Sequence, residues 1–222
     1  MRRSVFAATL AVALAASIGS AQSKTQRVIL LVGPPGSGKT TQAQLLSKKY
    51  AIPAFSMADL LKKQMLQVQK KDPIAKAMAA AIAGGDALPD EPAAELVRNH
   101  LLHTDVHKGF ILDGYPSTAG QAKSLDKILQ DQRLPRAVVV VLEVPDEVIR
   151  KRMQSRKRAD DKPENIEQRI KNFRAEAALL IGWAGQTHII RVNAEASVAD
   201  VSKQIVAGLE EFWNKQAAGQ QP

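Results

Sequence analysis

The feature that most constrains this chain is a glycine-rich turn between an apolar run and a helix-like pattern. Residues 33–40 read GPPGSGKT and fit the spacing G-x-x-x-x-G-K-[ST]. Glycines at such a turn let backbone N–H groups approach phosphate oxygens, and the helix that follows adds its positive dipole end. Lys39 offers a mobile cation and Thr40 a hydroxyl for Mg²⁺. A turn that binds nothing is disfavoured, because the apolar residues 28–32 lead directly into it.

Five short apolar segments alternate with helical patterns along the rest of the chain. They cover residues 28–32, 52–56, 109–112, 137–142 and 188–192. The fourth is so apolar that it should be buried on both faces, as in a parallel sheet. We therefore predict an α/β fold: a P-loop, doubly wound, parallel five-stranded sheet with helices on both faces. Ligands lie at the carboxyl ends of such strands, which places the glycine turn, Asp113 and the turn after Ser56 along one edge.

The first 21 residues are typical of a targeting segment. Two arginines at positions 2 and 3 precede an apolar stretch, residues 5–18, and small residues follow at 19–21. We predict a signal peptide over residues 1–21, a short linker over 22–26 and an exported protein, periplasmic or secreted, that is not stably inserted in a membrane. A buried N-terminal helix or an uncleaved anchor is the alternative; without a functional signal the protein would be cytoplasmic.

Composition narrows the classes of site and partner. The chain contains no cysteine, which excludes disulfides and thiolate metal sites. Without the two arginines of the leader, 29 basic residues face 22 acidic ones, so the excess charge suits an anionic ligand or a solvated basic surface. A cluster of arginines lies at positions 152, 156, 158 and 169. No aromatic side chains interleave with this cluster, so a nucleic-acid partner is not predicted.

The arginine cluster gives the phosphate loop a chemical context. Arg152 and Arg156 are four residues apart on a predicted helix and therefore project from one face. A phosphate-binding loop and several arginines in one α/β domain indicate phosphoryl transfer, because positive groups must neutralise the charge that spreads over the transferred group.

From about Arg27 to Phe212, the chain resembles the adenylate kinase family and, more broadly, the nucleoside monophosphate kinases. The matching segments are the phosphate loop at 33–42, the turn LDGYP at 112–116, the sequence RADD at 158–161 followed by Glu164 and Arg169, and VNAE at 192–195. The resemblance implies a kinase domain over 27–214, with a helical NMP-binding segment at 57–88 and a very short lid at 156–158. The remaining residues, 215–222, are predicted to form a disordered tail.

The resemblance also implies the reaction and its participants. We expect Mg·ATP and AMP, or a related nucleoside monophosphate, to give two ADP. Magnesium accompanies the ATP, no zinc is needed because the zinc-binding lid insertion is missing, and the protein is expected to be a monomer.

Roles follow for each residue that matches the family's motifs. The expected ATP-binding residues are Gly36, Ser37, Gly38, Lys39, Thr40, Thr41, Arg152, Arg156 and Ala196. The expected AMP-binding residues are Met57, Lys62, Asp86, Ala87, Leu88, Gly114, Ser117, Gln121, Arg158 and Arg169, with Gln121 reading the base. The expected catalytic residues are Lys39, Arg156, Arg158 and Arg169. Thr40 and, through water, Asp113 are the expected Mg²⁺ contacts.

The chain departs from the family's pattern on the AMP side. Where the family usually shows S-T-G-D-x-L-R, residues 56–62 read SMADLLK, so Met57 and Lys62 replace a threonine and an arginine. Ser117 stands where an arginine usually grips the AMP phosphate, and a lost charge-assisted bond is worth about 1.5–3 kcal/mol. Three hypotheses remain open: a monophosphate kinase with an altered acceptor site, an exported ATP-binding protein that has lost phosphoryl transfer, and a P-loop kinase for another small acceptor.

Overall fold

The computed structural model describes residues 26–67, 76, 78–81, 86–156, 161–184 and 188–219. The strands are β1 (Arg27–Val32), β2 (Ala54–Ser56), β3 (Gly109–Asp113), β4 (Val138–Glu143) and β5 (His188–Asn193). The helices bounded within these residues are α1 (Lys39–Tyr50), α2 (Met57–Gln67), α3 (Asp90–Leu102), α4 (Ala119–Asp131), α5 (Asp146–Arg156), α6 (Pro163–Ala184) and α7 (Val198–Ala217).

The strands form one parallel sheet in the order β2-β3-β1-β4-β5, which confirms the predicted α/β fold. The register pairs Leu31 with Asp113 and Asp113 with Ser56. Since β1 ends at Val32, the glycine loop leaves the sheet beside both of these residues. The predicted grouping of the loop and Asp113 along one edge is confirmed, and β2 ends at the same edge with Ser56.

The sheet separates two apolar layers. Alternate residues of β4 point into opposite layers: Val139 and Val141 belong to one, and Val138, Val140 and Leu142 to the other. Helices α3 and α4 contribute to the first layer, and α1, α5 and α7 to the second. Burial on both faces is why the strand sequence is continuously apolar rather than alternating.

Two boundaries differ from the prediction. Helix α2 begins at Met57 directly after β2, so no turn follows Ser56; instead the Ser56 hydroxyl accepts a hydrogen bond from the backbone N–H of Asp59. The disordered tail predicted from residue 215 is wrong for its first residues, because helix α7 continues to Ala217. The buried Trp213 anchors this turn, and Lys215 pairs with Glu211 one turn earlier.

Several predictions fall outside the described residues. These are the signal peptide at 1–21, most of the linker at 22–26, parts of the NMP-binding segment, residues 157 and 158 of the lid, and residues 220–222. Among the residues that are described, no helix is long and apolar enough to cross a membrane.

Candidate active site

The phosphate loop leaves β1 and returns as helix α1. Gly36 and Gly38 have φ values of 77° and 96°, in the left-handed region where a Cβ is costly. Gly38 is the N-cap of α1; in this fully described helix no side chain caps the first turn and no acidic residue occupies it. The N–H groups at this end of the helix therefore remain suited to an anionic ligand.

Lys39 lies across the loop. Its Nζ donates to the carbonyl oxygens of Gly33 and Pro34, at 2.8 and 2.9 Å. Burial lowers the pKa of Lys39, the nearby Asp113 carboxylate raises it, and the Arg156 guanidinium lowers it further. The lysine thus shares one electrostatic environment with Asp113 and Arg156, although the three residues are far apart in sequence.

Thr40 and Asp113 form the oxygen-rich corner of the site. The Thr40 hydroxyl donates to Asp113 Oδ2 at 2.6 Å, and Asp113 is buried at the end of β3. Hydroxyl and carboxylate oxygens are the hard ligands that Mg²⁺ prefers. The described residues include no group of three or more His, Cys, Asp or Glu side chains that could hold a metal alone. These two oxygens could therefore hold Mg²⁺ only together with oxygens from a nucleotide or water.

Helix α5 packs against the loop and brings arginines to it. A Cβ on Gly36 would lie 3.0 Å from Met153 Cγ, so the helix and the loop are in close contact. One residue earlier on α5, Arg152 Nη2 donates to the carbonyl of Glu195 at 3.3 Å. The structure thereby places Arg152 beside the turn that carries Ala196, which is exposed, on the side expected to bind adenine.

Asp161 connects two of the predicted catalytic arginines. Arg156 donates from Nε and Nη2 to the two carboxylate oxygens of Asp161, at 2.5 and 2.7 Å. Arg169 Nη1, on α6, lies 3.6 Å from Asp161 Oδ1. The Asp161 side chain is only 1% exposed, so this carboxylate acts in a poorly hydrated setting where charge pairs are strong. A single buried carboxylate thus orients guanidinium groups from two helices.

On the acceptor side, the Gln121 side chain is bonded at both ends within the protein. Its Oε1 accepts from the backbone N–H of Ser117 at 2.8 Å and from the Ser117 hydroxyl at 2.9 Å. Its Nε2 donates to the carbonyl of Leu88 at 2.9 Å, and the residue is 1% exposed. The predicted AMP-binding residues Ser117, Gln121 and Leu88 are therefore brought together, but the Gln121 amide is engaged with its neighbours.

The other predicted acceptor residues differ in exposure. Met57 is buried at the start of α2, and a Cβ on Gly114 would lie 3.8 Å from the Met57 Cβ. Lys62 is exposed on α2, and Asp86 and Ala87 are exposed in the connector before α3. Of the two, Asp86 contacts α6 through a hydrogen bond from Asn172 Nδ2 to its Oδ1 at 3.0 Å.

Sequence reasoning missed two polar residues of the site region. Gln42, 2% exposed, donates from Nε2 to the carbonyl of Val198 at 3.0 Å and so ties α1 to the start of α7. Asn172 binds Asp86 as described above. A buried glutamine within the phosphate-loop motif is a weak signal for Gln42, but nothing in the sequence pairs Asn172 with a residue 86 positions away.

The fold and these contacts define a P-loop phosphotransferase, with a phosphate loop, a loop lysine and arginines from two helices at the carboxyl edge of one sheet. Comparison with known proteins identifies the family. The family profile described as Adenylate kinase matches residues 31–188. Proteins named Adenylate kinase from Corynebacterium urealyticum and Xylella fastidiosa are each 37% identical to the chain, over 182 and 186 residues. One from Leptospira biflexa is 34% identical over 186 residues; each alignment covers 82% of this chain and 98% of the relative.

The chain belongs to the adenylate kinase family and is a nucleoside monophosphate kinase by this relationship. The resemblance inferred from the motifs is therefore confirmed.

Proposed function

We propose that this protein transfers the terminal phosphoryl group of ATP to AMP or a related nucleoside monophosphate. The observation that carries the proposal is the buried Asp161, which orients Arg156 and Arg169 while Arg156 also acts electrostatically on the loop lysine. A phosphate oxygen of the acceptor attacks the terminal phosphorus of ATP, and the bond to the bridging oxygen breaks. Two molecules of ADP result when the acceptor is AMP, and no bond forms to the protein.

The residues of the site contribute to phosphoryl transfer by their position and their charge. The N–H groups of the loop and the start of α1 bind the donor phosphates, and Lys39 exchanges its bonds to Gly33 and Pro34 for phosphate oxygens. Arg156 and Arg169 neutralise the charge that develops on the transferred group. No general base is required, because the attacking phosphate oxygen is already ionised near neutral pH.

The oxygen ligands that this site offers fit magnesium as the cofactor. Thr40 and Asp113 would hold it through oxygen, with the remaining positions taken by the nucleotide and water. When bound, the ion would neutralise charge on the donor phosphates.

The acceptor site is the part in which this chain differs from the family pattern. Ser117 offers a hydroxyl where the motif has an arginine, and Lys62 offers a single cationic point where the motif has a bidentate fork. We expect a weaker grip on the acceptor phosphate than the arginines of the family motif would give.

A coupled assay tests the proposed function. Purified protein is incubated with ATP, Mg²⁺ and each nucleoside monophosphate in turn, and ADP formation is followed. AMP or a related acceptor should give ADP, and Lys39→Met should abolish it. If no acceptor yields ADP while calorimetry shows ATP binding without AMP binding, the alternative of an ATP-binding protein without transfer activity replaces this proposal.

We also propose that residues 1–21 direct export and are removed near Ala21. The support is the order of two arginines, an apolar stretch and small residues. Mass spectrometry of the protein from its native cells should find a mature N-terminus close to Gln22. An intact Met1 on cytoplasmic protein would refute the proposal.

A further inference from the structure

The loop that leads into α3 is held by hydrogen bonds from two different helices. From α4, Gln121 Nε2 donates to the carbonyl of Leu88 at 2.9 Å. From α6, Asn172 Nδ2 donates to Asp86 Oδ1 at 3.0 Å. We call residues 86–88 the acceptor loop, because they are expected to contact the acceptor nucleotide through their backbone. The acceptor loop is thus held at its first residue by α6 and at its last residue by α4.

The contact with α6 is directional. Gln168, one turn before Asn172, donates from Nε2 to Asn172 Oδ1 at 2.8 Å. The Asn172 amide therefore turns its NH₂ group toward Asp86, whose Oδ1 accepts the hydrogen bond. One hydrogen bond uses the Asn172 oxygen as acceptor and the other uses its nitrogen as donor, so together they fix the orientation of the Asn172 amide.

Helix α6 also carries Arg169, which is expected to be an AMP-binding and catalytic residue. Arg169 precedes Asn172 by three residues, a spacing that places the two side chains on neighbouring positions of the helix surface. Arg169 lies 3.6 Å from Asp161, which holds Arg156. Contacts therefore run from the acceptor loop through α6 to the arginines beside the phosphate loop.

We propose that Asn172 is a positioning residue that sets the acceptor loop relative to Arg169; the inference rests on the proposed monophosphate kinase activity. Asn172 does not touch the reacting atoms. It acts by fixing Asp86, and thereby the backbone that binds the acceptor, against the helix that supplies the arginine. Loss of the bond loosens the Asp86 end of the acceptor loop, which Gln121 still holds at Leu88, and leaves the phosphate loop unaltered. The effect therefore falls on the acceptor and spares ATP.

Kinetics of matched variants test this role. We expect Asn172→Ala to raise KM for AMP about three- to tenfold, the range for one ordinary hydrogen bond at a partly exposed site. KM for ATP should stay within about twofold, because no donor contact is removed. Lys171→Ala, which truncates the exposed neighbour on the same helix, is the control and should leave both constants unchanged.

Exchanging the side chains of Asn172 and Asp86 distinguishes a positioning role from general damage to the fold. Asn172→Asp should be worse than Asn172→Ala, because it sets two carboxylates face to face. Combining it with Asp86→Asn moves the amide to position 86 and the carboxylate to position 172, where Gln168 can still donate to it. The double variant should therefore bring KM for AMP back to within about twofold of the wild type.

Two outcomes would overturn the inference: an unchanged KM for AMP in Asn172→Ala, or no recovery in the double variant. A wild-type protein without turnover would instead refute the proposed function. Calorimetric affinity for AMP across the same variants then decides the inference, which fails if the affinity does not follow the predicted order.

Discussion

At the residue scale, Ser117 changes the acceptor site in two ways. It removes the cation that the family motif places there, and it donates both its backbone N–H and its hydroxyl to Gln121 Oε1. The Gln121 amide cannot read a base with Oε1 while that atom accepts both bonds. In the proposed acceptor site, Ser117 thus leaves out a phosphate-binding cation, and its hydroxyl adds a second hydrogen bond that restrains Gln121.

Replacing Ser117 with arginine tests the first of these effects. Ser117→Arg restores a bidentate donor for the acceptor phosphate and removes the hydroxyl bond to Gln121, so KM for AMP should fall about tenfold or more. Steady-state kinetics at saturating ATP measure it. The control is Ser117→Ala, which also loses the hydroxyl but adds no charge and should not reproduce the gain. Equal behaviour of the two variants would contradict a role for the missing cation.

Asp161 supports a second prediction at this scale. Asp161→Asn removes the charge that holds Arg156 and faces Arg169, so kcat should fall about tenfold or more. Glu167→Gln is a matched control, because it breaks the exposed ion pair with Arg150 that also joins α5 and α6. That surface pair should leave kcat within about twofold. A similar loss in both variants would mean that the helix contact, rather than arginine orientation, determines the rate.

At the scale of elements, the parts that could be predicted were those with local signals. The strands show as apolar runs and the phosphate loop shows as a motif, so the sheet and its active edge follow from sequence. The Asn172–Asp86 and Gln42–Val198 bonds join residues that are distant in sequence, and no periodicity indicates them. The sequence also does not indicate that residues 215–217 are helical, because the packing of Trp213 at this end of α7 is a tertiary effect.

Two glycines, Gly36 in the phosphate loop and Gly182 in α6, test whether the loop conformation requires glycine. Gly36 has a φ of 77°, which disfavours any residue with a Cβ, and a Cβ there would lie 3.0 Å from Met153 Cγ. Gly36→Ala should therefore destabilise the protein by about 1–2 kcal/mol and raise KM for ATP. Gly182 lies in α6, where a new Cβ would meet nothing within 4 Å beyond its chain neighbours and the backbone of its own helix, so Gly182→Ala should stabilise the protein by about 0.5–1 kcal/mol. Urea unfolding and ATP kinetics measure both. Equal effects on stability would show that the loop conformation does not require glycine.

At the scale of the whole molecule, two partly buried histidines pack against the two apolar layers on opposite sides of the sheet. His100 on α3 packs against Phe55 with ring centroids 4.4 Å apart, and His188 on β5 stacks on Phe212 at the same distance. Burial lowers the pKa of His100, with a further contribution from Lys63. Burial also lowers the pKa of His188, helped by Lys215 and opposed by Glu211. Both layers therefore favour the neutral imidazole.

This preference predicts that acid weakens the fold. Because each folded-state pKa lies below the ordinary value of about 6.5, the unfolded chain binds more protons as the pH falls through that value. The free energy of unfolding should therefore be highest above about pH 7 and should decrease from there toward the folded-state pKa values. Urea unfolding at about pH 7.5 and about pH 5 should show a smaller decrease in His100→Gln and in His188→Gln than in the wild type. The exposed His107 provides the control, since His107→Gln should keep the pH dependence of the wild type. If both packed-histidine variants lose as much free energy of unfolding as the wild type between these pH values, carboxylate groups rather than the two histidines govern acid sensitivity.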